Sequence, residues 1–253
     1  MIGCNPNSVR LEEGEELHDL QIHNLFLLQR KNGYMFTSDS VLLANFVKLK
    51  KNDSAIELCS GSGVVSVLVA AKNEYKQITS LELQESLFEL GKKNFKINNI
   101  QNATAHLGRV QNADKMFGAE SFDVAFCNPP FFEPKLLTAE NKERAVARKE
   151  IELSLSELVF SVSKILKFGG SWFLVYQSKR LSEVFEELEK HNLEPKEIQF
   201  VQPKKNKESN IFLLRATKGG KKGLKVLPTL VMYDDDGEES QELKEIYQRK
   251  KKS

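Results

Sequence analysis

An asparagine followed by two prolines is the feature of this sequence that bears most directly on chemistry. Residues 122–132 read Phe-Asp-Val-Ala-Phe-Cys-Asn-Pro-Pro-Phe-Phe, so an apolar strand over residues 124–127 is stopped by Asn128, Pro129 and Pro130. Each proline fixes its own φ, lacks an N–H group and pushes the residue before it towards an extended conformation. We therefore predict a stiff turn at the carboxyl end of a strand, which is where open α/β sheets bind ligands.

This turn suits chemistry on a planar amino group that is only weakly nucleophilic. The lone pair of an exocyclic adenine amine is delocalised into the ring, so the amine gains more from hydrogen-bond acceptors than from a strong base. The side-chain oxygen of Asn128 and the carbonyl of Pro129 are candidate acceptors, and Phe131 is a candidate stacking partner for the base, with a contact worth roughly 1–3 kcal/mol. Methylation of the amine fits this arrangement. A Pro-Pro turn after a buried strand accounts equally well for the motif taken alone.

A glycine loop upstream is the second candidate site. A short apolar strand over residues 54–58 runs into residues 59–63, reading Cys-Ser-Gly-Ser-Gly, and then into an apolar helix over 64–71. Glycines let the backbone close on a ligand, and the start of a helix presents free N–H groups. The next strand, over residues 77–83, ends near Glu82, where an acid accepts hydrogen bonds from the ribose hydroxyls of an adenosine cofactor. The alternative role for Glu82 is a surface charge at a strand end.

Alternating strands and helices are predicted to carry both loops. The pattern favours an α/β fold with a single doubly wound, mainly parallel sheet of seven strands, ending in an antiparallel edge strand from a late hairpin. Because the glycine loop follows the first strand and Asn-Pro-Pro follows the fourth, both loops are expected at the same edge of the sheet. We divide the chain into amino-terminal strands over residues 1–36, the main domain over 37–233 and an exposed charged tail over 234–253.

Charged residues add further candidates for ligand contact. Residues 196–225 hold nine lysines and arginines against two glutamates, which suits a phosphate-contacting face, with a solvated lysine-rich surface as the equal alternative. Within this region, Lys204, Lys205 and Lys207 form a loop between two late strands. Asp39 precedes a predicted helix, where it is either a solvated cap or a ligand contact. Residues 133–150 form a polar segment too long for an ordinary connection and are a candidate substrate loop that contains Arg148.

The composition also sets limits on location and metal content. No apolar run approaches the ~20 residues needed to span a bilayer, and the first residues lack the pattern of a secretory signal. Cys4, Cys59 and Cys127 are odd in number and widely spaced, which indicates free thiols in a reducing cytoplasm without a zinc site. We therefore expect a cytoplasmic protein with no membrane contact and no metal.

Together, these motifs resemble class I S-adenosylmethionine-dependent methyltransferases, and among them the bacterial tRNA1(Val) adenine-37 6-amino methyltransferase family and its Gram-positive relatives. The likeness extends over nearly the whole chain and rests on residues 37–43, 57–63, 128–132, 147–150 and 198–204. It implies a Rossmann-like methyltransferase fold, S-adenosylmethionine as cofactor and tRNA as partner. The oligomeric state is left open, with a monomer favoured.

The resemblance also assigns roles to individual residues. The implied cofactor residues are Glu57, Cys59, Gly61, Gly63, Glu82 and Asn128. The implied catalytic residues at the amine are Asn128, Pro129, Pro130 and Phe131. The implied RNA-binding residues are Asp39, Arg148, Lys204, Lys205 and Lys207. The loop after the third strand departs from the family pattern because it lacks an early acid, so the contact to the adenine of the cofactor is unassigned.

The implied activity is methyl transfer to the 6-amino group of adenine 37 in the anticodon loop of tRNA. Three alternatives stay open. A protein glutamine amide methyltransferase shares the Asn-Pro-Pro-aromatic motif but usually carries a substantial amino-terminal recognition domain. A guanine 2-amino rRNA methyltransferase also shares the turn, often with a duplicated domain. The third alternative, an RNA-binding module with a degenerate cofactor fold, is disfavoured by the intact glycine loop and turn.

Overall fold

The computed structural model describes residues 2–31, 35–130 and 153–247. Its strands are β1 (Glu15–Asp19), β2 (Phe26–Arg30), β3 (Ser54–Leu58), β4 (Gln77–Glu82), β5 (Ala103–Leu107), β6 (Phe122–Cys127), β7 (Leu166–Gln177), β8 (Leu193–Lys204), β9 (Ile211–Lys218), β10 (Lys225–Val226) and β11 (Leu230–Tyr233). Its α-helices are α1 (Ser38–Phe46), α2 (Val64–Lys72), α3 (Glu85–Ile97), α4 (Ala113–Phe117), α5 (Leu155–Ile165), α6 (Leu181–Lys190) and α7 (Gln241–Ile246).

One large sheet organises the protein, and its strand order is β10-β8-β9-β7-β6-β3-β4-β5, with β11 also paired to β8. Strands β3, β4, β5, β6 and β7 are parallel to one another, which confirms the mainly parallel α/β fold. Two details of the prediction are wrong. The described residues place nine strands in this sheet rather than seven. The antiparallel strand β9 lies between β7 and β8 rather than at the edge, because the late hairpin folds back so that its second strand pairs with β7.

The hydrophobic core has one layer on each face of the sheet. Successive side chains of a strand point to opposite faces, and β6 shows this alternation. Phe126 packs in the layer with helices α1 and α2, whereas Cys127 packs in the layer with α5 and α6. The same holds on β7, where Trp172 and Phe173 belong to different layers. Helices on both faces are the doubly wound arrangement predicted from the sequence.

The amino-terminal hairpin is attached to the domain by Asn94 of α3 and by Asn98, which caps the carboxyl end of that helix. Within the part of the chain that the structure describes, strands β1 and β2 pair only with each other. The side chain of Asn98 accepts from the N–H of Phe26 at 3.0 Å and donates to its carbonyl at 2.7 Å. Asn94 makes the corresponding bonds to Leu28 at 2.7 and 3.1 Å. These two buried amides bond the backbone N–H and C=O groups along one edge of β2, as a neighbouring strand would.

Part of the segment predicted to be an exposed tail is packed. Helix α7 buries Leu243 and Ile246, which are 2% and 6% exposed, in the same core layer as α1. Ser240 caps this helix by accepting from the N–H of Leu243. The prediction of exposure is therefore wrong for these residues, because the sequence shows their charge but not the surface that receives their two apolar side chains. In the described parts of the chain, no helix is long and apolar enough to cross a membrane.

Candidate active site

The glycine loop follows β3 and turns sharply before α2. Cys59 and Gly61 have φ of 56° and 55°, and Gly63, the residue that begins α2, has φ of 78°. This left-handed backbone is free of steric cost for glycine but not for residues with a Cβ. The Gly63 N–H donates to the carbonyl of Ser60 at 2.8 Å and closes the turn. The first backbone groups of α2 are thereby brought to the carboxyl edge of the sheet.

Glu82 connects this loop to the end of β4. Its carboxylate accepts from the N–H of Gly61 at 2.8 Å and from the N–H of Gln84 at 2.8 Å. An ionised carboxylate has about four lone-pair positions, so the two bonds leave acceptor capacity for hydroxyl donors. Glu82 is 7% exposed and lines a cavity, which excludes its alternative role as a surface charge.

The cavity has a volume of about 140 Å³ and lies at the carboxyl ends of β3 to β6. Five of the residues predicted to bind cofactor or amine line it together: Cys59, Gly61, Glu82, Asn128 and Pro130. Leu81, Leu87 and Val110 give it apolar walls. Its lining therefore combines a carboxylate acceptor, glycine backbone and a flat apolar surface. This combination fits a nucleoside-bearing cofactor, whose ribose needs acceptors and whose base needs apolar contact.

Glu57 and Gly63, also predicted to bind the cofactor, are not among the residues that line this cavity. The Glu57 carboxylate is 2% exposed and accepts from the N–H of Ser66 at 2.9 Å and from the Ser66 hydroxyl. Burial raises the pKa of Glu57 to about 8, although the bonds from Ser66 oppose that rise. Glu57 thus supports the first turn of α2 from beneath, and Gly63 supplies the backbone turn that the helix needs.

The Asn-Pro-Pro turn leaves β6 beside the same cavity. Pro129 is buried, Pro130 is exposed and Asn128 is half-buried. The side-chain nitrogen of Asn128 donates to the hydroxyl of Ser40 at 3.1 Å. Asp39, next to Ser40 in the first turn of α1, is half-buried, and burial raises its pKa. Phe131, Arg148 and the polar segment over residues 133–150 lie outside the described residues.

The lysine loop, residues 204–210, lies at the same edge of the sheet as the turn. Strands β7 and β8 are both antiparallel to β9, which lies between them, so they run in the same direction. Lys204 at the end of β8 is therefore on the same side of the sheet as the carboxyl ends of the central strands. The loop is joined to the end of β7 because the hydroxyls of Ser178 and Ser209 are 2.9 Å apart and the Ser178 N–H donates to the Asn210 carbonyl at 2.9 Å. Lys205 and Lys207 flank the turn residue Asn206.

The basic residues over 196–225 do not form one face. Lys218 pairs in register with Leu193 at the start of β8, and Lys225 pairs with Glu197. A strand rises about 3.3 Å per residue, so Lys218 is roughly 35 Å and Lys225 roughly 23 Å from Lys204 at the far end of β8. These basic residues therefore cannot all contact phosphate on one face, because the twelve-residue strand β8 separates the two groups of lysines.

Two residues that sequence reasoning missed contribute to the site. Asn94 donates to the carbonyl of Ser62 at 2.9 Å while it also holds Leu28, so one buried amide links the amino-terminal hairpin to the glycine loop. Ser40 contacts Asn128 across 88 residues of chain. The sequence does carry a signal for Asn94. Its four-residue spacing from Asn98 places the two amides on one side, near the carboxyl end of α3. Nothing in the sequence distinguishes Ser40 from its neighbour Ser38.

Comparison with known proteins gives related sequences and folds. The sequence profile of the methyltransferase small domain family matches residues 36–199. A protein of Shewanella woodyi named tRNA1(Val) (adenine(37)-N6)-methyltransferase is 30% identical over 165 residues, which cover 64% of this chain and 67% of that protein. Proteins of the same name from a Flavobacteriaceae bacterium and from Pseudoalteromonas translucida are 29% and 26% identical, over 58% and 62% of this chain. The matches cover 61% and 65% of these two relatives.

Solved structures show the same fold at low sequence identity. The crystal structure of a predicted O-methyltransferase from Agrobacterium tumefaciens has a TM-score of 0.68 and 16% identity, covering 83% of this chain and 95% of that one. The structure of M. jannaschii TYW2 in complex with AdoMet has a TM-score of 0.56 and 13% identity, covering 83% of this chain and 87% of the other. The Rossmann-like methyltransferase fold predicted from the sequence is confirmed.

Proposed function

Because this chain belongs to the methyltransferase small domain family, we propose that it methylates the exocyclic 6-amino group of an adenine in tRNA, adenine 37 of the anticodon loop. The observation that carries the proposal is the position of the Asn-Pro-Pro turn, which follows β6 beside the cavity lined by Gly61 and Glu82. The relatives described above carry this activity in their names. The cofactor is S-adenosylmethionine, which supplies a methyl group activated by a positively charged sulfur.

The residues of the cavity fit S-adenosylmethionine. Glu82 would accept hydrogen bonds from the ribose hydroxyls, because its carboxylate has acceptor capacity beyond its two backbone bonds. The glycine loop brings the backbone of Gly61 to the cavity without a side chain in between. Cys59 and Asn128 complete the part of the lining nearest the turn. Glu57 acts indirectly in this assignment, since it holds the start of α2 rather than the ligand.

The amine is held by acceptors and needs no charged base. Asn128 would present its side-chain oxygen and Pro129 its backbone carbonyl to the two N–H bonds of the amine. These acceptors orient the nitrogen lone pair towards the methyl donor, and orientation accounts for much of the catalytic effect in such a transfer. The amine proton becomes acidic only as the new carbon–nitrogen bond forms, so it can leave late to an acceptor or to solvent. Phe131 remains the proposed stacking partner for the base.

The lysine loop is proposed to bind the RNA backbone. Lys204, Lys205 and Lys207 lie at the edge of the sheet from which the Asn-Pro-Pro turn emerges. Lysines bind phosphates largely by charge, so their contribution falls as salt rises. A base in the anticodon loop is single-stranded, and it can be turned out into a pocket at a modest unstacking cost. Asp39 and Arg148 are proposed as further RNA contacts.

A direct assay distinguishes this function from the alternatives. The purified protein is incubated with S-adenosylmethionine and transcribed tRNA, and nucleosides are identified by mass spectrometry after digestion. We expect N6-methyladenosine in wild-type tRNA(Val) and none in a matched transcript with guanosine at position 37. Methylated guanine in rRNA or methylated glutamine in a protein substrate, with unmodified tRNA, would contradict the proposal in favour of one of the other enzymes.

A further inference from the structure

We propose that Ser40 is a positioning residue for the reaction, because its hydroxyl accepts from the side-chain nitrogen of Asn128 and holds the amide with its oxygen free for the substrate amine. The inference rests on the proposed function. The Asn128 nitrogen donates to the Ser40 hydroxyl at 3.1 Å. Ser40 is 3% exposed, so few water molecules compete for this contact. No other feature of the sequence marks Ser40, which is one of several serines and threonines in residues 37–40.

The orientation of the amide decides whether the site can hold an amine. An asparagine side chain has an oxygen that accepts hydrogen bonds and a nitrogen that donates two. The amine to be methylated is itself a donor in the ground state, so it needs the oxygen. With the nitrogen of Asn128 bonded to Ser40, the oxygen is directed away from Ser40 and is available to the ligand. If the Asn128 amide were reversed, its N–H groups would face the N–H groups of the substrate amine, and no hydrogen bond would form between them.

Ser40 can hold the Asn128 amide in place because it lies on a rigid element. It is in the first turn of α1, where its N–H donates to the Thr37 carbonyl at 3.1 Å. The three residues that follow it, Val41, Leu42 and Leu43, are each no more than 1% exposed. Farther along the helix, Phe46 packs edge-to-face on Phe173 of β7 at 5.8 Å between ring centroids. A functional group is held most precisely when its partner is carried by a packed helix.

The test compares Ser40→Ala with Ser161→Ala, which removes the hydroxyl of another buried helical serine, on α5. Loss of one hydrogen bond that orders a reacting group predicts a kcat about tenfold lower for Ser40→Ala. The Kd for S-adenosylmethionine and the KM for tRNA should stay within about twofold of wild type, since that bond contacts neither ligand. Ser161→Ala should have wild-type kinetics. Ser40→Thr, which keeps the hydroxyl, should recover most of the kcat.

A double-mutant cycle separates positioning from a general structural effect. If Ser40 acts through Asn128, adding Ser40→Ala to Asn128→Ala should cause no further loss of kcat. Two losses that multiply would overturn the inference, and so would a loss of cofactor affinity in Ser40→Ala. Thermal unfolding of each variant shows whether a fall in kcat reflects a smaller folded fraction.

A second readout does not depend on activity. In the NMR spectrum of wild-type protein, one side-chain N–H of Asn128 should exchange slowly with water, and Ser40→Ala should abolish that protection while Ser161→Ala leaves it in place. Unchanged exchange in Ser40→Ala would overturn the inference whatever the kinetics. If wild type fails to methylate tRNA, the proposed function fails, and this exchange measurement still decides whether Ser40 orients the amide.

Discussion

The glycine loop and the Asn-Pro-Pro turn follow neighbouring parallel strands, yet they are held in place by different means. Buried side chains from two other elements bond to the glycine loop, Glu82 at the end of β4 and Asn94 on α3, while Glu57 on β3 holds the first turn of α2 that follows the loop. Among the described residues, the turn is held by its own prolines and by a side-chain bond from Asn128 to Ser40. The half of the site proposed to bind the cofactor is therefore built by tertiary contacts, and the half proposed to bind the amine is built by local covalent stiffness.

This difference predicts two kinds of mutant. Loss of the Asn94 side chain, which bonds both the glycine loop and β2, should lower stability and cofactor affinity together. Changes in the turn should lower turnover with little effect on stability. Four predictions, from the largest expected effect to the smallest, test this contrast.

Asn128→Ala should lower kcat by roughly 10²–10³-fold, the usual effect of removing one oriented hydrogen-bonding group from a reacting centre. Cofactor affinity, measured by calorimetry, should stay close to wild type, because the amide acts on the acceptor amine. A collapse of cofactor binding in this variant would show that Asn128 belongs to the cofactor half of the site and would remove the contrast.

Asn94→Ala should lower the free energy of unfolding by roughly 2–4 kcal/mol, since it leaves buried backbone groups of Leu28 and Ser62 without partners. It should also weaken cofactor binding, because Ser62 lies in the glycine loop. Asn98→Ala is the matched control: it removes equivalent bonds to Phe26 but none to the loop. Urea unfolding and calorimetry should find both variants destabilised and only Asn94→Ala impaired in cofactor binding. If the two variants bound the cofactor equally well, the bond from Asn94 to Ser62 would not contribute to cofactor binding.

Glu57→Gln should change how stability depends on pH. Because the folded pKa of Glu57 is about 8 and thus above its ordinary value of 4.5, the folded state binds this proton more tightly than the unfolded chain. The contribution of Glu57 to stability therefore falls as pH rises from 4.5 to 8, by at most ~1.4 kcal/mol per pH unit. Glutamine mimics the protonated carboxyl, so the variant should show a flatter profile and gain roughly 1–2 kcal/mol on wild type near pH 8.

Unfolding measured from pH 4.5 to 8, with the exposed Glu183→Gln as control, tests this prediction. Parallel profiles for wild type and Glu57→Gln would mean that Glu57 is ionised in the folded protein and that its bonds to Ser66 outweigh its burial.

The smallest effect is expected for Lys204→Ala combined with Lys205→Ala. Each lost phosphate contact should reduce the slope of log affinity against log salt by ~0.7, with binding to tRNA weakened most at low salt. The matched control is Lys221→Ala combined with Lys222→Ala, which removes two lysines near the opposite edge of the sheet. Electrophoretic shifts at several salt concentrations should find the slope changed in the first pair only. If both double variants gave the same slope, the proposal that the lysine loop binds RNA phosphates would be contradicted.

The parts of the site that were predictable from sequence are those set by local rules. Glycines between an apolar strand and an apolar helix, and prolines after a strand, identify both loops without knowledge of the fold. The supports could not be predicted, because they join distant residues: Asn94 is 66 positions from Leu28, and Ser40 is 88 from Asn128. The same limit explains why β9 was misplaced at the edge, since strand order depends on how the late hairpin folds back rather than on its composition.

The central claim is that the base held at the Asn-Pro-Pro turn is adenine 37 of tRNA. Position-resolved mapping of N6-methyladenosine in tRNA from cells with the gene, without it, and with only Asn128→Ala tests it most directly. We predict methylation at adenine 37 of tRNA(Val) in the first strain and its loss in the other two. Unchanged methylation at that position in cells that lack the gene would contradict the account.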